Sequence, residues 1–190
     1  MTENTQFKTL VNTWLNSKQA MITASTHANF VLIAENHLIP QFGRRKIGTI
    51  TESDIQGYIL YLYNDGRLDN GGGLTVKTIR DVILVLRLAL TYAYKEKAIP
   101  LLNWEMIEYP KEIGVKRVVS LSKEEEQNLI QCIYLNLNRK TAGILIALMT
   151  GVRIGELCGL QMKDICLSNN TLSVNKTVQR IFDKRKGTTY

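Results

Sequence analysis

The residues best placed to do chemistry in this sequence are Arg153 and Glu156, which follow a Thr-Gly turn at the start of a short predicted helix. The helix dipole disfavours a cation at this end, whereas free backbone N–H groups there favour a phosphate. Both features are explained if an anion binds beside Arg153, whose planar guanidinium can contact two phosphate oxygens at once. The alternative is an ordinary surface ion pair at i,i+3 spacing, which contributes only a few tenths of a kcal/mol.

Charge is distributed unevenly along the 190 residues, whose formal net charge is +7. Residues 1–112 carry 12 Lys and Arg against 11 Asp and Glu, whereas residues 113–190 carry 12 against 6. A basic C-terminal half favours a polyanionic partner, because cations that neutralise phosphates release counterions. A basic surface that serves only solubility explains the charge equally well.

Composition excludes several classes of protein. Apolar residues at 45% and charged residues at 22% indicate a globular chain. The longest apolar runs, Val82–Leu86 and Ile144–Met149, are too short to cross a bilayer. The N-terminus has no signal-peptide pattern, so we expect a cytoplasmic protein. Three cysteines without zinc-site or redox spacing predict reduced thiols, no metal site and no cofactor.

Four amphipathic helices are predicted before residue 110, because apolar residues recur there at the spacing of one helical face. The second is expected to end before Pro40, whose ring disfavours a continuing helix. The fourth is expected to span residues 76–97. Four such helices joined by short loops can close a small bundle. The predicted helices begin at or next to Phe7, Ser25 or Thr26, Thr51 and Thr75.

A second domain is predicted to begin near Ser122, which forms a capping box with Glu125. A further helix from Arg139 is apolar almost all round, so it must be covered by other parts of a protein. We therefore expect residues 120–190 to be loosely packed or to need cover from elsewhere. One strand is predicted around residues 171–182. The predicted domains are residues 1–110 and 120–190, joined by a linker at 111–119.

The stretch from residue 150 to residue 165 resembles the arginine box of tyrosine recombinases, the phage integrase family. The family pattern is T-G-x-R-x-x-E-L-x-x-L-x-x-x-D-I, and its fixed positions are occupied here by Thr150, Gly151, Arg153, Glu156, Leu157, Leu160, Asp164 and Ile165. Upstream, the sequences Ile39-Pro-Gln-Phe-Gly43 and Leu74-Thr75-x-x-Thr78-Ile79 occur in the order found in the core-binding domain of integrases. The resemblance implies a mainly α fold, with an N-terminal SAM-like four-helix core-binding bundle followed by the α+β start of a catalytic domain.

The resemblance implies DNA strand breakage and rejoining, in which Arg153 would stabilise charge on a pentavalent phosphorus and Glu156 would help to hold the active-site cations. The family also needs a hairpin lysine, a His-x-x-Arg pair and a tyrosine nucleophile. His27 and His37 precede the arginine box, and Tyr190 lies in a hairpin region. We therefore expect a fragment that cannot cleave DNA by itself.

The resemblance also implies that double-stranded DNA is the partner, with no small-molecule substrate, and that the chain forms a homo-oligomer on DNA. In the family the second and fourth bundle helices face the major groove, and the matching candidates are Thr26, Lys77, Thr78, Arg80 and Arg87. Phosphate contacts are expected from Arg44, Arg45 and Lys46 in a turn, and from Lys116 and Arg117 in the linker. About half of these are expected to be ordinary solvated charges.

Two other functions remain open at this point. The chain could be a stand-alone DNA-binding regulator whose arginine-box helix reads DNA, or a helical protein-interaction module. A salt series separates the module from both DNA-binding functions, because the binding constant falls linearly with salt on logarithmic axes only when phosphates are bound. A downstream reading frame with a His-x-x-Arg pair and a tyrosine would identify the recombinase.

Overall fold

The computed structural model describes residues 1–69, 71–111, 119–183 and 188–189. These residues divide into two compact units. The first contains the described residues of Met1–Val115 and of Ile181–Tyr190, and the second contains those of Lys116–Arg180. The predicted mainly α fold is confirmed, whereas the proposed domain limits and linker at 111–119 stay predictions. None of the described helices is long and apolar enough to span a membrane.

Helices make up most of both units. In the first unit they are α1 (Phe7–Lys18), α2 (Ala24–Ile33), α3 (Ile39–Phe42), α4 (Glu52–Asp65) and α5 (Val76–Lys95), with a π-helical turn at Ala34–Leu38 and 3₁₀ turns at Ile47–Thr49 and Trp104–Met106. In the second unit they are α6 (Lys123–Leu135), α7 (Arg139–Thr150) and α8 (Ile154–Gly159), with a 3₁₀ turn at Met162–Asp164. The strands are β1 (Ile165–Cys166) paired antiparallel with β2 (Thr171–Leu172), and β3 (Phe182–Asp183) paired antiparallel with β4 (Thr188–Thr189).

The core of the first unit is built around α5, which buries nine residues along one face. Helices α1, α2 and α4 pack against α5. Trp14 stacks on Phe30 with ring centroids 5.5 Å apart, and Phe42 meets the ring of Phe7 edge-on at 5.8 Å. The fully buried side chains among the described residues are all apolar, so removal of apolar surface from water is the main force that holds these helices together.

The prediction that the helical path stops before Pro40 is wrong, although α2 itself ends at Ile33. The chain continues through the π-helical turn, where the N–H of Ile39 donates to the carbonyl of Ala34, five residues back. Pro40 then lies in the first turn of α3. A proline is tolerated there because the first N–H groups of a helix have no partner inside it. The π turn thus allows the helical path to continue up to Pro40, which would break an uninterrupted α-helix.

Local capping explains where several helices begin. As predicted, helices begin at Thr51 and Thr75. Thr51 caps α4 in a capping box with Asp54, and Thr75 caps α5. For α2 the prediction of Ser25 or Thr26 is wrong, since Thr23 is the N-cap and its hydroxyl accepts the N–H of Thr26 at 3.3 Å. All three candidates are hydroxyl residues close together in sequence, so residue type alone could not choose among them.

The second unit is packed much less tightly than the first. Helix α7 has no fully buried residue, and Ile144 and Met149 are about half exposed. Ile133 on α6 is the one fully buried apolar residue among the described residues of this unit. The expectation of loose packing after residue 120 is therefore confirmed for the part of the unit that the structure describes.

The single strand predicted around residues 171–182 is also wrong. Pairing with β1 stops at Leu172, and the following segment runs along α8, where the N–H of Val178 donates to the carbonyl of Gly155 at 2.9 Å. A Cβ on Gly155 would stand 2.8 Å from the Val178 carbonyl oxygen, and one on Gly159 would stand 2.7 Å from that of Lys176. Two glycines one turn apart thus admit a backbone that any side chain would push away.

Candidate DNA-binding and catalytic site

The turn between α7 and α8 determines where Arg153 lies. Gly151 has a φ of 70°, the left-handed conformation that glycine adopts without steric cost, and its N–H donates to the carbonyl of Ala147. The hydroxyl of Thr150 donates to the carbonyl of Ile146 at 2.6 Å. The Thr-Gly pair therefore ends α7 sharply and places Arg153 at the N-cap of α8.

Glu156 holds Arg153 from the first turn of α8. Its carboxylate accepts the backbone N–H of Arg153 at 2.9 Å and a guanidinium N–H at 3.2 Å. The backbone N–H and, more weakly, the guanidinium hold the pKa of Glu156 below its usual value. One backbone N–H at this end of α8, that of Arg153 itself, is therefore taken by Glu156. The guanidinium itself stays open, with the Arg153 side chain 85% exposed.

The remaining polar position of the arginine box is structural. Asp164 accepts the N–H of Gln161 at 2.9 Å and the side-chain amide of Asn175 at 3.2 Å. The Gln161 N–H is the main reason that the pKa of Asp164 is lowered. This carboxylate therefore ties the turn before β1 to the segment after β2.

The basic turn after α3 is fixed to the start of α1. The N–H of Phe7 donates to the carbonyl of Arg45 at 2.9 Å, and the N–H of Ile47 donates to the carbonyl of Thr5 at 2.9 Å. Arg45 makes two hydrogen bonds to Asp54, at 2.8 and 2.9 Å, and a third to the carbonyl of Thr49. The structure thus gives Arg45 an internal partner, while its neighbours Arg44 and Lys46 are exposed.

The candidates on α5 divide into two groups. Lys77, Arg80 and Arg87 are exposed along one side of the helix. Thr78 is half-buried, and its hydroxyl lies 2.9 Å from that of Thr75. The structure brings the three cations onto one face of α5 and turns Thr78 towards a different face of the bundle.

A cleft of about 400 Å³ adjoins Thr78. It is lined by His37 from the π turn together with Arg67 and Asp69, which form an ion pair at 3.0 Å. Burial lowers the pKa of His37, so this imidazole is neutral near pH 7. Thr26, the remaining candidate on α2, places its hydroxyl 2.9 Å from that of Thr23 at the cap.

A second groove, of about 340 Å³, lies beside α5 and contains aromatic rings that the sequence analysis missed. The guanidinium carbon of Arg80 lies 5.5 Å from the ring centre of Tyr109, and that of Arg87 lies 5.6 Å from the ring centre of Trp104. Burial raises the pKa of Tyr109, while the charges of Arg80 and Arg87 oppose that shift. The pairs are 17 or more residues apart in sequence, so no local pattern could reveal them.

Some predictions fall on residues outside the described part of the chain, namely those for Lys116, Arg117 and Tyr190. Within the described residues, no group of three or more histidines, cysteines or carboxylates has the arrangement of a metal site.

Residues 6–63, which hold α1 to α3 and most of α4, match the family model of the phage integrase N-terminal SAM-like domain. This part of the chain is therefore similar to the N-terminal domain of phage integrases. Over 33 residues, which are 17% of this chain and 9% of the relative, the chain is 54% identical to the integrase of Staphylococcus phage L54a.

The chain is also similar in fold to solved structures of the Tn1549 transposon integrase. The complex of that protein with circular intermediate DNA matches with a TM-score of 0.64 at 20% identity, covering 97% of this chain and 58% of the solved one. A variant in complex with transposon right end DNA matches with a TM-score of 0.68 at 20% identity, covering 98% and 56%. The chain thus spans little more than half the length of these integrases. At this identity the likeness shows the shared fold.

Proposed function

We propose that this chain is the DNA-binding bundle and the first part of the catalytic domain of a tyrosine-type site-specific recombinase, and that it binds duplex DNA. One observation carries the proposal: the guanidinium of Arg153, at the arginine position of the family motif, is 85% exposed. Glu156 holds the backbone and one guanidinium N–H of Arg153, which leaves the other guanidinium N–H groups open to a phosphate.

In the proposed site Arg153 contacts the phosphate at which a strand is exchanged. Its planar group can donate two parallel hydrogen bonds to the non-bridging oxygens, where negative charge grows in the transition state. Glu156 acts through Arg153, because it fixes the backbone and one guanidinium N–H of that residue. It is therefore a positioning residue, and its carboxylate stays ionised because its pKa is lowered.

Raising the salt concentration from about 50 to about 200 mM is expected to weaken binding to a duplex by roughly 10- to 100-fold, as for two to four neutralised phosphates. The Arg153→Ala variant is expected to flatten the plot of log K against log salt by about 0.9, the contribution of one phosphate contact. Fluorescence anisotropy of a labelled duplex measures both. The matched control is Lys95→Ala, which removes a cation from the C-terminal end of α5, outside the proposed contacts.

Two outcomes would contradict the proposed function. If the binding constant does not change with salt, phosphate contacts do not drive binding, and a protein-interaction module becomes the better explanation. If Arg153→Ala leaves the slope unchanged and Lys95→Ala flattens it, Arg153 does not contact the backbone.

The 190-residue chain is proposed to be unable to cleave DNA by itself. Its sequence after residue 153 contains no histidine, and a guanidinium can stabilise a transition state but cannot attack phosphorus. Incubation with a nicked duplex followed by denaturing gel electrophoresis is expected to show no covalent protein–DNA adduct, with an active tyrosine recombinase as the positive control. An adduct mapped by mass spectrometry to any tyrosine of this chain would overturn the proposal. Assembly into a homo-oligomer on DNA also stays a prediction.

A further inference from the structure

The segment Asn103–Tyr109, here called the strap, is fastened to α4 by two side chains. The carboxylate of Glu52 accepts the N–H of Asn103 at 2.8 Å. The amide of Gln56 accepts the N–H of Glu108 at 2.9 Å and donates to its carbonyl at 3.1 Å. Because Gln56 satisfies both backbone groups of one residue, the strap has a defined position on the bundle.

The strap presents two aromatic rings to two arginines of α5. Trp104 lies against Arg87 and Tyr109 lies against Arg80. Arg80 and Arg87 are seven residues apart, which is about two helical turns or roughly 10 Å along the axis. Stacking on a ring restricts a guanidinium to one plane but consumes none of the N–H groups at its edge.

Arg80 and Arg87 differ from three arginines that have charged partners. Arg45, Arg67 and Arg153 each have a carboxylate within ion-pair distance. Among the residues that the structure describes, Arg80 and Arg87 have ring contacts but neither an ion pair nor a hydrogen bond. An ordered cation with unused donors has lost much of its rotamer entropy before a ligand arrives, which favours tight binding.

We propose that Trp104 and Tyr109 are positioning residues that hold Arg87 and Arg80 as a paired clamp for two backbone phosphates of duplex DNA. This inference rests on the proposed function that the chain binds DNA. Lys77 continues the same exposed side of α5, so three cations form a row along one helix. A row of cations matches the regularly spaced anions of a nucleic acid backbone better than the scattered charges of a folded protein.

One carboxylate in the groove, that of Asp81, provides a further test of the proposal. Asp81 lines the groove with the two arginines and forms no ion pair among the described residues. Its negative charge repels an incoming phosphate, so Asp81→Asn is expected to strengthen DNA binding by about two- to threefold at low salt. A groove that served only to fasten the strap would not respond in this direction.

The test is a double-mutant cycle on DNA affinity in the full chain. Trp104→Leu is expected to weaken binding about two- to fivefold, the typical size of a cation–π contribution, and to have no further effect when Arg87→Gln is already present. Trp104→Phe and Tyr109→Phe keep an aromatic face and are expected to bind almost normally. Arg80→Gln and Arg87→Gln are each expected to flatten the slope of log K against log salt by about 0.9, the contribution of one phosphate contact.

A second variant, Gln56→Ala, tests the same effect on DNA affinity in case the Trp104 variant does not fold. Gln56→Ala releases the strap while both rings remain, and it is expected to weaken binding in the wild-type background only. If Trp104→Leu or Gln56→Ala weakens binding equally in the Arg80→Gln/Arg87→Gln background, the rings act through overall stability and the inference is wrong.

The failure of this inference can be told apart from the failure of the proposed function. If the chain binds DNA with salt dependence but Arg80→Gln and Arg87→Gln do not change its slope, the groove does not contact phosphates and is better suited to a protein partner. If the chain does not bind DNA at all, the proposed function itself is wrong.

Discussion

Replacing Trp14 with alanine is expected to lower the free energy of unfolding of the first unit by about 3–5 kcal/mol. Trp14 is 1% exposed and stacks on Phe30 of α2, so the substitution removes a large apolar surface and leaves a cavity between α1 and α2. Because a domain of this size has only about 5–15 kcal/mol of stability, this loss is a large fraction of the total. Urea unfolding followed by far-UV circular dichroism measures the change.

The second tryptophan supplies a matched control. Trp104 is half-buried in the strap, so Trp104→Ala exposes less apolar surface and is expected to cost about 1–2 kcal/mol. Equal losses for the two variants, or a larger loss for Trp104→Ala, would mean that the strap and not the α1–α2 contact dominates the stability of the first unit.

Replacing Asp54 with asparagine is expected to destabilise the first unit by about 2–3 kcal/mol. One carboxylate here caps α4 together with Thr51 and accepts two hydrogen bonds from Arg45. Thr51 remains the N-cap, so damage to the capping box costs at most as much as a lost N-cap, about 0.5–2 kcal/mol, and hydrogen bonds to charged groups contribute about 1.5–3 kcal/mol. The expected loss lies near the lower end of the summed range because the side chains of Arg45 and Asp54 are about one-third exposed, and solvent weakens their ion pair. Thermal unfolding of the two proteins at pH 7 measures it.

The same carboxylate makes stability depend on pH. Hydrogen bonds from Arg45, followed by those from Thr51, lower the pKa of Asp54 well below its usual range. Since the folded protein binds this proton more weakly than the unfolded chain, the stabilisation is complete above the unfolded value near 3.9 and is lost as the pH falls below it. Between about pH 5 and pH 2 the wild-type protein should therefore lose more stability than Asp54→Asn.

A solvent-exposed ion pair provides the control for Asp54. Asp69 bonds to Arg67 at 3.0 Å, but its side chain is 63% exposed. Solvent screens such exposed pairs, so they contribute little to stability, and Asp69→Asn is expected to change stability far less than Asp54→Asn. If the Asp69 variant lost as much as the Asp54 variant, the position of Asp54 at the helix cap would not be the cause.

The Asp54 contact also bears on DNA binding. Arg45 ties the basic turn to the N-terminus of α4, and the neighbouring Arg44 and Lys46 are exposed on that turn. Arg45 therefore orders the turn from inside, while Arg44 and Lys46 remain the candidates for phosphate contact. Sequence spacing could not separate these roles, because the three cations are adjacent.

Local signals in the sequence determined much of the secondary structure and the candidate catalytic residue. The helix start at Thr51 and the capping box at Ser122 were predicted correctly, because each involves side chains and backbone groups within a single turn. The arginine box likewise lies within one short stretch, so its Thr-Gly turn and the pairing of Arg153 with Glu156 could be read directly.

Tertiary structure decided which partner each polar group takes. Three features depend on segments that the core brings together. They are the π turn before Pro40, the hydrogen bonds of Arg45 to Asp54 and the hydrogen bonds of Gln56 to Glu108. Hydrogen bonds and ring contacts act over only a few ångströms, so residues as far apart in sequence as Arg80 and Tyr109 meet only after the apolar faces have packed. A cation in a sequence has a known charge, but the fold alone determines whether protein or DNA neutralises it.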